Sequence, residues 1–147
     1  MGLGSFDARV PRHLWIVGVL SLLWNGVGAF DYVMTETRNA DYLRGFTPEQ
    51  LAYFTGFPKW VVAAWALAVW GGVAGSLGLL WRRRWAVPVF GLSLAAMAVT
   101  FTHNYVLTDG MAVMGGVGAL AFTGAIVAVG VVLYFYARGL ARRRVLR

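Results

Sequence analysis

The sequence contains no cysteine. Disulfide exchange, thiolate nucleophiles, zinc–thiolate sites and iron–sulfur clusters are excluded together, because each needs a reactive or ligating sulfur. Charge is scarce as well: 13% of residues are Asp, Glu, Lys or Arg, about half the share of an ordinary soluble domain. There are two histidines, His13 and His103. They are expected at opposite faces of a membrane, and His103 with Asp31 alone supplies too few ligands for a closed zinc site. The chain also lacks G-x-S-x-G, H-E-x-x-H and the phosphate-binding P-loop pattern. We therefore expect no metal, no cofactor and no enzymatic activity.

What remains is apolar. Hydrophobic residues make up 59% of the chain, with a mean hydropathy of +0.65. They fall into four runs, residues 14–34, 59–81, 85–107 and 111–137. Each is long enough to cross a hydrocarbon core of about 30 Å at 1.5 Å per residue. The reading is an all-α, integral membrane four-helix bundle forming a single domain over residues 1–147. Val27-Gly28-Ala29 offers small residues of the kind a signal peptidase accepts. The first run is long for a signal peptide, however, and is read as an uncleaved span.

The arginines orient these spans. Ten of the thirteen basic residues, Arg9, Arg12, Arg82, Arg83, Arg84, Arg138, Arg142, Arg143, Arg144 and Arg147, flank the start of the first run, the turn between the second and third, and the end of the fourth. Short basic loops stay on the cytoplasmic side, so both termini are expected there. The net charge of +7 and pI near 10.6 then match a face lying against anionic lipid headgroups. No nucleic-acid partner is expected, because no soluble basic domain exists to carry one. Residues 1–13 read as a polar lead, and 138–147 as a basic tail. Trp15, Trp81, Trp85, Tyr134 and Tyr136 should gather at the inner interface, and Tyr32, Trp60 and Tyr105 at the outer one.

Residues 35–57 form the longest connection. Within it Thr47-Pro48-Glu49-Gln50 has the pattern of a helix start, with Thr47 as N-cap, Pro48 in the first turn and Gln50 closing a capping box. A short helix in the outer interface is predicted. Within the spans, small residues recur at steps of four: Ala64, Ala68, Gly72 and Ser76 in the second, with Gly71 and Gly75 beside them, and the pairs Gly115/Ala119 and Gly124/Ala128 in the fourth. Such rows seat a second helix, inside the bundle or outside it.

Polar groups inside spans are expensive and mark the candidate ligand-binding residues: Asn25, Asp31, Lys59, Thr100, His103 and Asn104. Asn25 lies near mid-span and suits a helix–helix hydrogen bond. Asp31, Lys59 and His103 share one membrane depth. Asp31 is expected within hydrogen-bonding reach, directly or through one water, of His103, Asn104 or Lys59; alternatively, Asp31 and Lys59 meet water at the headgroup boundary.

Leu23-Trp24-Asn25-Gly26, Gly28, Asp31-Tyr32, Thr35, Phe46-Thr47-Pro48-Glu49-Gln50, Phe57-Pro58, Trp60 and Arg84-Trp85-Ala86-Val87-Pro88 together form a pattern over roughly residues 12–105. It resembles a family of small proteobacterial four-helix membrane proteins that often carry the label "sugar transporter" and are loosely similar to DoxX-like bundles. The resemblance implies a bacterial inner-membrane location. The preferred functional reading is a binding or accessory subunit of a larger membrane assembly, with other membrane-protein subunits as partners. The alternative is an oligomeric small-solute carrier with a polar site in the outer half of the bundle.

Overall fold

Glycine, alanine and branched aliphatics dominate the long runs, whose only charged residues, Asp31 and Lys59, lie near the ends of theirs, and the runs fold as helices. The computed structural model describes residues 9–147. The described residues are 81% helical and contain no strand. Four helices are long and apolar enough to cross a membrane: α1 (Arg12–Glu36), α4 (Lys59–Leu80), α5 (Ala86–Thr102, continued by a π-helical turn His103–Leu107) and α7 (Val117–Arg142). Short helices α2 (Ala40–Leu43), α3 (Pro48–Thr55) and α6 (Gly110–Met114) complete the connections at one end. Most of the predicted polar lead, residues 1–8, lies outside the described residues.

The spans alternate in direction, so the bundle has an arginine end and a loop end. α4 packs on α1 and on α5, and α5 on α7. The apolar core sits at the arginine end, where Leu14, Leu79, Ala86, Phe90, Leu133, Ala137 and Leu140 meet Val145 and Leu146. α1 and α7 touch through large side chains: His13 Nδ1 lies 2.6 Å from Tyr136 Oη, and the Trp24 and Phe122 rings are 6.4 Å apart.

Helix termination uses arginine where glycine is the usual choice. Arg38, Arg82 and Arg144 follow the last turns of α1, α4 and α7 with φ of 51°, 57° and 57°. In each case the next residue's N–H reaches back to the carbonyl five before it: Asn39 to Met34 at 3.0 Å, Arg83 to Gly78 at 2.7 Å and Val145 to Leu140 at 2.9 Å. These are Schellman caps. A left-handed non-glycine residue is disfavoured by about 1 kcal/mol, whereas a cation at a helix C-terminus is favoured by about 0.3–1 kcal/mol. The second offsets part of the first.

Two expectations are corrected. The fourth span does not run from residue 111. Gly115 and Gly116 have φ of 114° and 71°, which break the helix, so α6 is a separate turn and the span starts at Val117. The Gly115/Ala119 pair therefore straddles a break and forms no packing row. The second concerns the basic tail, 138–147, which is not separate from the bundle. α7 continues through Arg142, and Val145 and Leu146 are buried at 4% and 1% exposure.

Candidate functional site

The loop end carries the polar and aromatic side chains, and local chemistry places them. Thr47 caps α3 as predicted: its hydroxyl accepts from Gln50 N at 3.2 Å, while Gln50 Oε1 accepts from Thr47 N at 3.1 Å. Gln50 Nε2 also donates to Val113 O at 3.2 Å, which ties α3 to α6. This fixes Tyr53, Phe54 and Phe57 over the bundle. A chain of edge-on and tilted ring contacts then runs from Tyr42 through Phe46, Phe54 and Phe57 to His103. Trp65 joins it through Phe57 and Tyr32.

His103 is the best-held polar residue here. It opens the π turn and is 6% exposed. Its ring meets Phe57 and Trp60 nearly at right angles, with centroids 5.3 and 5.5 Å away. Nδ1 lies 2.9 Å from Asn104 Oδ1. That oxygen also accepts from Tyr53 Oη at 3.2 Å, and Tyr53 Oη is 2.7 Å from Thr108 Oγ1. Thr108 Oγ1 also lies 2.9 Å from His103 O, a carbonyl at the end of the widened π ladder, so its one proton is shared between that carbonyl and Tyr53 Oη. Gly110 closes the arrangement, since a Cβ there would lie 2.6 Å from Tyr53 Oη. Burial pushes the Tyr53 phenol up, although Thr108 pulls the other way.

Asp31 is elsewhere. Its carboxylate accepts the Tyr42 hydroxyl, and no hydrogen bond or ion pair joins it to His103, Asn104 or Lys59 among the described residues. The cause is the chain's path: α1 extends to Glu36, and α2 folds back with Asn39 Oδ1 capping Tyr42 N at 3.0 Å, which lays Tyr42 over Asp31. Burial first, then the Asp31 hydrogen bond and charge, push the Tyr42 phenol up to about 12. Tyr42 thus stays a donor throughout the ordinary pH range. Lys59 is exposed on the first turn of α4. Among the described residues the one ion pair is Arg44–Asp41, 3.0 Å and largely exposed.

The remaining candidates are held within the bundle. Thr100 Oγ1 donates to Met97 O of its own helix at 2.9 Å. Asn25, 7% exposed, donates to Ser21 O at 2.8 Å and to Ser76 Oγ at 3.4 Å. Ser76 Oγ in turn donates to Gly72 O at 2.8 Å. Asn25 is thus the α1–α4 hydrogen bond expected of it. Of the six candidates, only His103 and Asn104 come together. Tyr53 and Thr108, which complete their network, were missed; the Thr-Pro-Glu-Gln helix start five residues before Tyr53 was the available signal. No group of three or more His, Asp or Glu side chains able to hold a metal occurs among the described residues. Set against known protein families, curated proteins and solved structures, the chain matches none of them.

Proposed function

We propose that the protein is an inner-membrane four-helix bundle, with both termini cytoplasmic, that serves as a binding or accessory subunit of a larger membrane assembly. The observation that carries this reading is the outward face of α7. Of that helix's most apolar stretch 11% is buried, against 39% for α4. Gly118 and Gly124 have nothing within 4 Å of where a Cβ would lie, and Ala121, Ala125 and Ala128 are exposed beside them. In lipid there is no hydrophobic force between helices, so close backbone approach along small residues is what seats a neighbouring span. The mid-span polar groups Asn25 and Ser76 are hydrogen-bonded to each other.

The arginine bias supports cytoplasmic termini, and the resemblance of the first two-thirds of the chain to small proteobacterial bundles supports the compartment. The carrier alternative draws less support, because Asn25, the polar group at the depth where transport sites lie, is committed to Ser21 and Ser76.

Since the chain has no cysteine of its own, Ala128→Cys gives a single reactive position. Crosslinking in native membranes should trap that variant on another membrane protein, while a cysteine at Trp70, on the exposed side of α4, should not be trapped. Recovery of uncrosslinked monomer alone would refute the reading. Reporter fusions at Arg147 and Gly45 should lie on opposite sides of the membrane; finding both on one side would refute the topology.

A further inference from the structure

At the arginine end, the α4–α5 turn and the chain after α7 are clasped together. Arg147 N donates to Arg82 O at 2.6 Å, and Arg84 N donates to Arg147 O at 2.9 Å. Arg82 Nε donates to Val145 O at 3.2 Å, which fixes the plane of its guanidinium. Val145 and Leu146 anchor the clasp in the apolar core. At this clasp is an open cleft of about 410 Å³ lined by Trp81, Arg82, Arg83 and Arg147.

Three independent features describe what the cleft would hold. The first is charge. The carboxylate side chains among the described residues, Asp31, Glu36, Asp41, Glu49 and Asp109, all belong to the loop half of the bundle. Arg82 and Arg83, the two arginines that this turn contributes to the cleft, therefore have no side-chain counter-ion among the described residues. The second is geometry. Guanidinium groups match phosphate oxygens two at a time, and a fixed guanidinium plane gives up less freedom on binding. The third is depth. Trp81 and Trp85 pack edge to face, 6.5 Å apart, and are 63% and 41% exposed beside the cleft. Amphipathic indoles lie at headgroup level, which puts the mouth of the cleft where lipid phosphates are.

We propose that this cleft is a binding site for the phosphate of an anionic phospholipid headgroup, with Arg82 and Arg83 as its ligands. Basic pockets between spans take such headgroups, and here the clasp preforms the pocket. The site differs from a diffuse basic surface because two of the arginines at this end carry most of the recognition.

The test uses the full chain in mixed phosphatidylcholine and phosphatidylglycerol bilayers, with the lipid retained on the protein read by native mass spectrometry. The wild-type chain should keep phosphatidylglycerol in preference to phosphatidylcholine. Replacing both ligands, Arg82→Gln with Arg83→Gln, should lower that occupancy about tenfold. Arg138→Gln with Arg142→Gln removes the same charge from the same end outside the cleft, and should leave occupancy within about twofold. Equal losses in the two double variants would overturn the proposal, since the general field would then suffice. Displacement of the lipid by millimolar inorganic phosphate would overturn the lipid assignment. Should the first double variant fail to fold, Arg83→Gln alone should lower occupancy several-fold, and wild-type retention in that variant would overturn the site.

Discussion

In α4, a Cβ added at Gly71, Gly72, Gly75 or Gly78 would meet another helix; in α7, one added at Gly118 or Gly124 would meet nothing. Both helices carry small residues at steps of four, and both are apolar enough to span a membrane. The difference lies in what stands opposite. Gly72 receives Asn25 of α1, Gly75 receives the Phe90 ring of α5, and Gly78 receives Ala86 and Trp85. A row of small residues permits close approach, and it takes a complementary side chain on a neighbour to use it. α4 is thus the middle of the protein, and the outer row of α7 is a surface.

The largest expected effect breaks the α4 side of this contrast. A side chain at Gly72 would overlap Asn25, with a Cβ only 2.6 Å from Asn25 Cγ. Gly72→Val should destabilise the bundle by about 3 kcal/mol, the upper range for overpacking a tight interface. Unfolding followed by circular dichroism in detergent would check it, and a midpoint equal to wild type would mean α1 and α4 are not packed as described.

The next effect tests why α7 stands apart. Its first turn follows Gly116, whose φ of 71° and ψ of −142° suit glycine and strain any side chain. Gly116→Ala should cost about 2 kcal/mol and disturb the link between α6 and α7 while sparing α1 and α4. Hydrogen exchange resolved by helix would separate these outcomes; an equal loss of protection across all four spans would contradict a local effect at this break.

A third prediction concerns the polar anchor of the α1–α4 seam. Removing Asn25 and Ser76 singly and together, each as Ala, should reveal a coupling of about 1 kcal/mol, in the range measured for hydrogen bonds between membrane helices. Additive losses would show that the 3.4 Å contact between Asn25 Nδ2 and Ser76 Oγ contributes nothing of its own.

These cases also mark what the sequence made legible. The four spans and the Thr47 cap are local properties, set by hydropathy and by a four-residue motif, and the structure has them. The path of the chain after α1 is not local. Asp31 found Tyr42 because Asn39 starts a second short helix that turns the chain back, and hydropathy carries no record of that turn. Both Asp31 and His103 lie toward the loop end, but hydropathy does not give azimuth around a helix, and Asp31 bonds directly to Tyr42 and not to the His103–Asn104 pair. The orientation of the α7 row had an unused signal in Thr123. Its hydroxyl lies 2.8 Å from Tyr105 Oη of the π turn, so the Thr123 face points inward and the Gly124 face, rotated by about 100°, points away. Within a span, a polar residue with a partner gives the phase that a row of glycines and alanines lacks.

The smallest expected effect is the most informative about that outward face. Gly124→Ala and Ala128→Val add carbon where the structure has no protein atom to meet it at Gly124 and where Ala128 is exposed. Alanine also forms helix more readily than glycine by about 1 kcal/mol in water, an advantage that lipid reduces. The purified bundle should therefore unfold within about 0.5 kcal/mol of wild type, as for substitutions outside packed contacts. If α7 seats a neighbouring span, Gly124→Ala with Ala121→Val should remove the partner trapped through a cysteine at position 128 of the otherwise cysteine-free chain. Stability and association would then move independently, which no role in packing the bundle can produce. A substantial loss of stability from Gly124→Ala would instead place that face inside the fold and erase the contrast with α4.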